Sequence, residues 1–231
     1  MNNDRNVHDF TSVIDALIAE HGGPELPYVT DPFEMVLFEN VAYLVSDEYR
    51  ILAFENLRSV IGLKPVDILT ATSEQFALVA RMAGSNKQGQ IAKLIRSAEI
   101  VQNDFNGDLT QILGMPYKKA IAALRKFPAI GEPGAEKILV FNRAAAVLAL
   151  ESNGLRVMTR IGFNDEQANY TAMYRAAQRS VAEGLPTDPE WLIAAYQRLR
   201  KHGQLICRRV DPRCGACAIR TMCNYGMLHA F

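Results

Sequence analysis

No cysteine occurs in the first 206 of the 231 residues, and all four crowd into the stretch from Cys207 to Cys223. Staples for an extracellular fold would be spread along the chain to close long loops, so a disulfide framework is excluded. Long apolar runs are missing as well. The longest, residues 144–150, is far short of the roughly 20 residues that cross a bilayer. No apolar signal core follows Met1-Asn2-Asn3-Asp4-Arg5, so an intracellular, cytoplasmic protein is expected. Net charge is absent, 25 basic residues cancelling 25 acidic ones, which excludes a uniformly basic wrapper of nucleic acid. Period-two alternation, hairpin dipeptides, internal repeats and low-complexity tracts are all lacking.

What is present is an ordinary globular composition, 49% apolar and 22% charged. At about 150 residues per domain the length gives one or two domains. The charge is unevenly placed. Residues 1–60 hold eleven Asp/Glu against three Arg and no Lys. From Gln197 onward, Arg198, Arg200, Lys201, Arg208, Arg209, Arg213 and Arg220 face a single acid, Asp211. Such a basic end can meet phosphates in a neutral protein, although a charge run is more often a solvated face.

The cysteine spacing is C-x6-C-x2-C-x5-C. A structural zinc site pairs two short C-x2-4-C knuckles, and only Cys214-x2-Cys217 is one. The wider gaps let one loop wrap a bulky 4Fe-4S cubane with each thiolate reaching one iron, so a cluster is favoured over zinc.

The remainder reads as helices, and the expected class is all-α. Apolar periodicity marks 12–20, 32–43, 48–61, 73–83, 88–99, 108–113, 118–126, 133–151 and 170–181. Asp188-Pro189-Glu190 reads as an N-cap with proline at the first helical position. The amphipathic helix that follows is expected to end at Gly203, with Arg198, Arg200 and Lys201 in its last turn. Between 118–126 and 133–151 lies the tight turn Phe127-Pro128-Ala129-Ile130-Gly131. It is either a packed connector or a helix N-terminus with free amides for a phosphate.

Several of these stretches resemble one family. Leu199-x2-His202-Gly203-x3-Cys207-x4-Pro212-Arg213-Cys214-x2-Cys217-x5-Cys223-x-Tyr225 resembles the C-terminal cluster loop of endonuclease III and the adenine-specific mismatch glycosylase, members of the helix-hairpin-helix DNA glycosylase superfamily. The turn from Phe127 to Ala135 is similar to that family's hairpin, and Ala149-Leu150-Glu151-Ser152-Asn153-x-x-Arg156-Val157 to the strip bearing its catalytic aspartate. Asp31-Pro32-Phe33-Glu34 resembles the start of its helical barrel. The resemblance implies a six-helix barrel over 28–145, ending in the hairpin and its following helix. Segments 1–27 and 146–231 would form an iron-sulfur domain, with DNA in the cleft between the two. It further implies a monomer acting on double-stranded DNA near the bacterial nucleoid, with Ile130, Gly131, Gly134, Arg208, Arg209 and Arg213 toward DNA. Cys207, Cys214, Cys217 and Cys223 would hold the cluster.

Departures from the family pattern bear on the chemistry. The lysine that forms a Schiff base in bifunctional members is Pro133 here, so lysine-driven strand cleavage is not expected. Lys137, one turn later, reads as solvated or phosphate-facing. Glu151 stands for the catalytic aspartate, with the same carboxylate on a longer arm. Ala129 replaces the first hairpin glycine, and Tyr43 and Leu44 replace the usual glutamines at the end of the first barrel helix. Leu37-Phe38-Glu39 resembles the motif whose glutamate protonates a departing purine; a shift of one residue places Asn40 there instead. Glu39 as acid and Glu151 as the carboxylate facing the sugar would together excise a base.

Other residues read as structural. His8, His21 and His229 lack ligand spacing and are expected to be exposed, His202 packs by the cluster loop, Tyr43 is core or a stacking residue, and Asp165 and Glu166 are loop charges. The sequence reading is a monofunctional glycosylase for a damaged (alkylated) or mispaired purine. Its alternative is a non-catalytic iron-sulfur DNA-binding protein.

Overall fold

The computed structural model describes residues 9–23 and 25–229; His8 and the first five residues lie outside that range. Twelve α-helices form among the described residues and no strand does, the one β-type contact being an isolated pairing of Tyr43 with Gly84. The chain is all-α, and none of these helices is long and apolar enough to cross a membrane. It divides into two compact units, 1–26 with 145–231, and 27–144.

The unit of residues 27–144 carries α2 (Pro32–Asn40), α3 (Asp47–Val60), α4 (Pro65–Thr70), α5 (Ser73–Ala80), α6 (Lys87–Phe105), α7 (Tyr117–Leu124) and α8 (Glu132–Phe141). Local chemistry sets several of the boundaries. Asp31 accepts from the amides of Phe33 and Glu34, both at 2.9 Å, with Pro32 at the first helical position. Thr72 and Gln75 form a reciprocal capping box at α5. Phe54, Leu57, Ile68, Leu94, Ile112 and Leu124 are fully buried in this unit, each worth about 1.5–3 kcal/mol relative to exposure. Residues 108–113, expected as helical, contribute instead to a 3-10 turn over Leu109–Gly114.

Between α7 and α8 the chain makes the expected tight turn, and Ala129 adopts φ +60°, the left-handed region that a Cβ disfavours. The turn is tied to α2 by Asn40, which is fully buried and donates through Nδ2 to the carbonyls of Val36 and Pro128, both at 2.9 Å. Ala129→Gly relieves roughly 1–2 kcal/mol of backbone strain and gives back about 0.5–1 in chain entropy. A net gain of about 0.5–1 kcal/mol in chemical denaturation is the expected result, and a loss would show that the methyl group packs usefully.

The other unit carries α1 (Phe10–His21), α9 (Ser152–Ile161), α10 (Tyr170–Val181), α11 (Pro189–Leu205) and α12 (Asn224–Leu228). Its core joins Val13, Ile14 and Leu17 of α1 to Leu155, Met158, Tyr174, Ala177, Ala195 and Leu199. Asp188 caps α11 by accepting from the Trp191 amide at 3.1 Å.

Four readings of local structure are corrected. The helix expected over 133–151 stops at Phe141, and Arg143 is left-handed at φ +58°. Residues 145–151 then run as irregular chain to α9, a separate helix. The helix expected to reach residue 43 stops at Asn40, which leaves Tyr43 outside it and 48% exposed, not core. Gly203 does not end α11, which continues to Leu205; a Cβ there would sit 2.7 Å from both Cβ and the carbonyl oxygen of Asn153. It is a contact glycine that lets α11 approach α9. Arg198 is not a solvated last-turn cation: it is 1% exposed and donates to the His21 carbonyl at 2.8 Å and to Glu25 at 3.3 Å.

Gly203→Ala pushes a methyl group into backbone as well as side chain, so overpacking of about 2–3 kcal/mol is expected. Thermal unfolding should fall by roughly 5–10 °C; an unchanged midpoint would mean that the helices separate freely.

Candidate functional site

The four cysteines lie on the loop and short 3-10 turns that follow α11. Their side chains line one pocket of about 340 Å³, open mouth included, with Val157, Ile161, Ile206, Pro212, Ile219 and Tyr225 as its apolar walls. Among the described residues no three His, Cys, Asp or Glu side chains converge where a single metal ion would sit. Burial pushes the Cys217 thiol up to about 11 and raises Cys223 as well, as expected for thiols in an apolar wall.

Three of the sulfurs have a polar hydrogen-bonding neighbour. The Gly226 amide donates to Cys223 Sγ at 3.4 Å, Arg160 Nη1 donates to Cys207 Sγ at 3.4 Å, and His202 Nε2 lies 3.5 Å from Cys217 Sγ. Amide and guanidinium donors aimed at sulfur suit thiolates and fit an iron-sulfur cluster, whereas Cys223 Sγ also donates to the Arg160 carbonyl at 3.3 Å, the contact of a protonated thiol.

Two arginines of α9, unassigned by the sequence, organise the loop. Arg160 donates to the carbonyls of Arg208 at 2.7 Å and Arg209 at 3.2 Å, and its guanidinium lies 4.7 Å from the Tyr225 ring centroid. Arg156 donates through Nε to the Cys207 carbonyl at 3.0 Å and through Nη2 to the Gly203 carbonyl at 2.7 Å. The same Nη2 reaches Asn153 Oδ1 at 2.8 Å. Asn153 Nδ2 in turn donates to Glu151 Oε2 at 2.8 Å, while Glu151 Oε1 accepts from the Gly154 amide at 2.7 Å as N-cap of α9. An unbroken chain of hydrogen bonds therefore runs from the first cysteine to the Glu151 carboxylate. Asn153, Arg156 and Arg160 follow helical spacing; recognising α9 as a helix would have put them on one side of it. Tyr170, the first residue of α10 and 41% exposed overall, is pushed up to about 12 by partial desolvation and secondarily by the Glu151 charge.

The basic residues separate into two groups. Arg209 and Arg213 are exposed. Arg208, expected toward phosphate, donates to the carboxylate and the carbonyl of Asp211, both at 2.8 Å.

The hairpin residues separate similarly. Gly131 is exposed and caps α8 without a side-chain bond, leaving first-turn amides without a side-chain acceptor. Gly134 is half-buried, and a Cβ on it would meet Ile130 at 3.6 Å. Ile130 is 4% exposed, so its side chain is packing and any contact from it to DNA is confined to the main chain.

Glu39 is ion-paired on both oxygens. Lys137 Nζ donates to its Oε1 at 2.7 Å and Arg50 Nη1 to its Oε2 at 3.2 Å. Two cations so placed favour the charged form of the carboxylate. Lys137 is ion-paired and 20% exposed, not the freely solvated lysine expected, and Asn40 is the buried tie described above.

Among the histidines, His229 is exposed and stacks on Tyr225 at 3.9 Å, whereas His21 is half-buried with Nε2 3.0 Å from His202 Nδ1, against expectation. His202 is buried beside Cys217 as expected, and burial, with His21 nearby, pushes it down to about 4. Asp165 and Glu166 are exposed loop residues.

Neither a family model nor a curated protein matches the sequence. Solved structures do match. A trapped endonuclease III–DNA covalent intermediate superposes with a TM-score of 0.74 at 16% identity, covering 94% of this chain and 95% of that one. A thermostable thymine-DNA glycosylase gives 0.73 at 17%, covering 94% and 96%. The Helicobacter pylori 3-methyladenine DNA glycosylase bound to 1,N6-ethenoadenine gives 0.65 at 17%, covering 85% and 98%. With twelve helices among its described residues, a tight turn between α7 and α8 and a cysteine loop after α11, the chain thus has the fold of the helix-hairpin-helix DNA glycosylases.

Proposed function

We propose that this chain is a monofunctional DNA N-glycosylase, a cytoplasmic monomer that hydrolyses the N-glycosidic bond of a damaged purine in double-stranded DNA, with alkylated purines preferred over mispaired ones. The observation that carries the reading is Glu39 held on both oxygens by Lys137 and Arg50. Excision of a neutral purine requires an acid to protonate the departing base, and Glu39 so bound does not serve as one. An N-alkylated purine already bears positive charge and leaves without that help. The remaining demand is a carboxylate to balance the oxocarbenium-like sugar and guide water, the role given to Glu151. Pro133 offers no amine, so no Schiff base forms at that position and the strand stays intact.

The base must leave the stack to react. Tyr43 and Leu44, 48% and 78% exposed, with Leu44 at φ +55°, supply apolar surface for the gap it leaves. Cys207, Cys214, Cys217 and Cys223 would hold a 4Fe-4S cluster, which supplies a rigid structural cross-link and no hydrolytic step. Arg160 and Arg156 then fix the loop that presents Arg209 and Arg213 to phosphates. The solved 3-methyladenine glycosylase supports the substrate class by likeness of fold.

One observation favours a second reading, a non-catalytic iron-sulfur DNA-binding protein: both Glu151 oxygens already accept hydrogen bonds from within α9. Incubation with duplexes carrying a panel of lesions, with free base and alkali-labile sites measured separately, decides between the two. Release of alkylated purine without spontaneous nicking is the expected result. Salt-sensitive binding without release from any lesion would install the second reading.

A further inference from the structure

The Cys217 sulfur faces a buried imidazole that has a second imidazole behind it. His202 Nε2 is 3.5 Å from Cys217 Sγ, and His202 Nδ1 is 3.0 Å from Nε2 of His21, the last residue of α1. His202 is 1% exposed and lines the cysteine pocket. His21 is fixed in turn by its own main chain, whose carbonyl accepts from Arg198 Nη1 at 2.8 Å and Lys201 Nζ at 3.3 Å. Two cations at the C-terminal end of α1 are where the helix dipole favours them. Residues 177 or more positions apart in the chain are thereby built into one device around a ring that α1 alone would leave loose.

The donor order follows from elementary chemistry. A coordinated thiolate carries no proton and only accepts. His202 must then present Nε2–H to sulfur, which leaves its Nδ1 as an acceptor, and the hydrogen between the rings belongs to His21 Nε2. We propose that His21 and His202 form a directed hydrogen-bond chain into the Cys217 sulfur, so that the end of α1 sets the reduction potential and the retention of the cluster. The inference rests on the metal-site reading above. His202 and His21 are positioning residues in it, since neither ligates iron. An N–H donated to sulfur favours the reduced cluster, which carries more negative charge, so removing it lowers the potential.

The test uses the full chain purified anaerobically with its cluster, compared with His202→Phe, His21→Phe and His21→Gln. The readouts are cluster content, reduction potential, the rate of iron loss to a chelator, and the deuterium shift of the iron–sulfur stretching bands in resonance Raman spectra. A hydrogen bond to a charged acceptor shifts such an equilibrium about tenfold, equivalent to about 59 mV for one electron. His202→Phe should move the potential negative by about that amount, speed iron loss and abolish the deuterium shift. His21→Phe should move it in the same direction by less, and His21→Gln, whose amide can still donate to Nδ1, should restore it.

If His202→Phe does not fold, the contrast between His21→Phe and His21→Gln decides. Folded His21 variants with unchanged potential, retention and deuterium shift would overturn the inference while leaving the cluster assignment intact. A wild-type protein that takes up no cluster under any condition would remove the metal-site reading itself, and this inference with it.

Discussion

Glu151→Gln should lower base release by about 10²–10³-fold while duplex affinity stays within about threefold of wild type. Glutamine keeps the length of the side chain and an oxygen that can still accept from the Gly154 amide, so the N-cap of α9 survives. What disappears is the negative charge proposed to balance the sugar in the transition state. The substitution also places an amide opposite Asn153 Nδ2, so one of the two amides must turn. If Asn153 turns, Arg156 loses its 2.8 Å acceptor. A stability loss of about 0.5–1.5 kcal/mol is therefore expected beside the kinetic one, and chemical denaturation separates the two. Full activity in a folded Glu151→Gln protein would take this carboxylate out of the mechanism, whatever the substrate proves to be.

On the proposed cluster assignment, loss of the cluster is the other large effect. Cys214→Ala removes one of four thiols from the pocket, and the protein should lose its visible absorbance. With nothing cross-linking the sulfurs, the loop keeps its hydrogen bonds to Arg156 and Arg160 but loses its central tie. Arg209 and Arg213 then have no fixed position, and every arginine that no longer neutralises a phosphate flattens the logarithmic salt dependence of DNA binding by about one. A slope shallower by about two, with affinity falling most at low salt, is the expected outcome in a fluorescence-anisotropy titration over ionic strength. A Cys214→Ala protein that stays brown and binds DNA as before would show that the cluster is held elsewhere. A colourless wild-type protein containing stoichiometric zinc would replace the cluster with a different metal.

The parts legible in the sequence are those governed by near neighbours. Cys207 to Cys223 fall within seventeen residues, so their common pocket follows from loop length alone. The caps at Asp31 and Asp188, each followed by proline, are local as well. The overrun from 133 to 151 has a local cause too: residues 144–150 continue the apolar pattern of α8, and nothing in them announces the left-handed Arg143. Distant pairing is not legible. Glu39 reads as an acid because its cations, Lys137 and Arg50, lie 98 and 11 residues away. Arg198 reads as solvated because the His21 carbonyl that it meets is 177 residues earlier. A charged residue reads as surface until a partner from another segment takes it inside, and periodicity carries no trace of that partner.

The approach of Gly203 to Asn153 has a consequence for how this chain can change over generations. Position 203 tolerates a larger residue only if position 153 yields, since the added carbon would meet both the side chain and the main chain there. Position 153 is not at liberty to yield, because its amide group joins the Glu151 carboxylate to Arg156. Mutational drift where two buried helices touch is thereby placed under selection for whatever Glu151 does. A lineage that no longer needed that carboxylate would be released at both positions together, so substitutions at 153 and 203 are expected to be epistatic and not independently neutral.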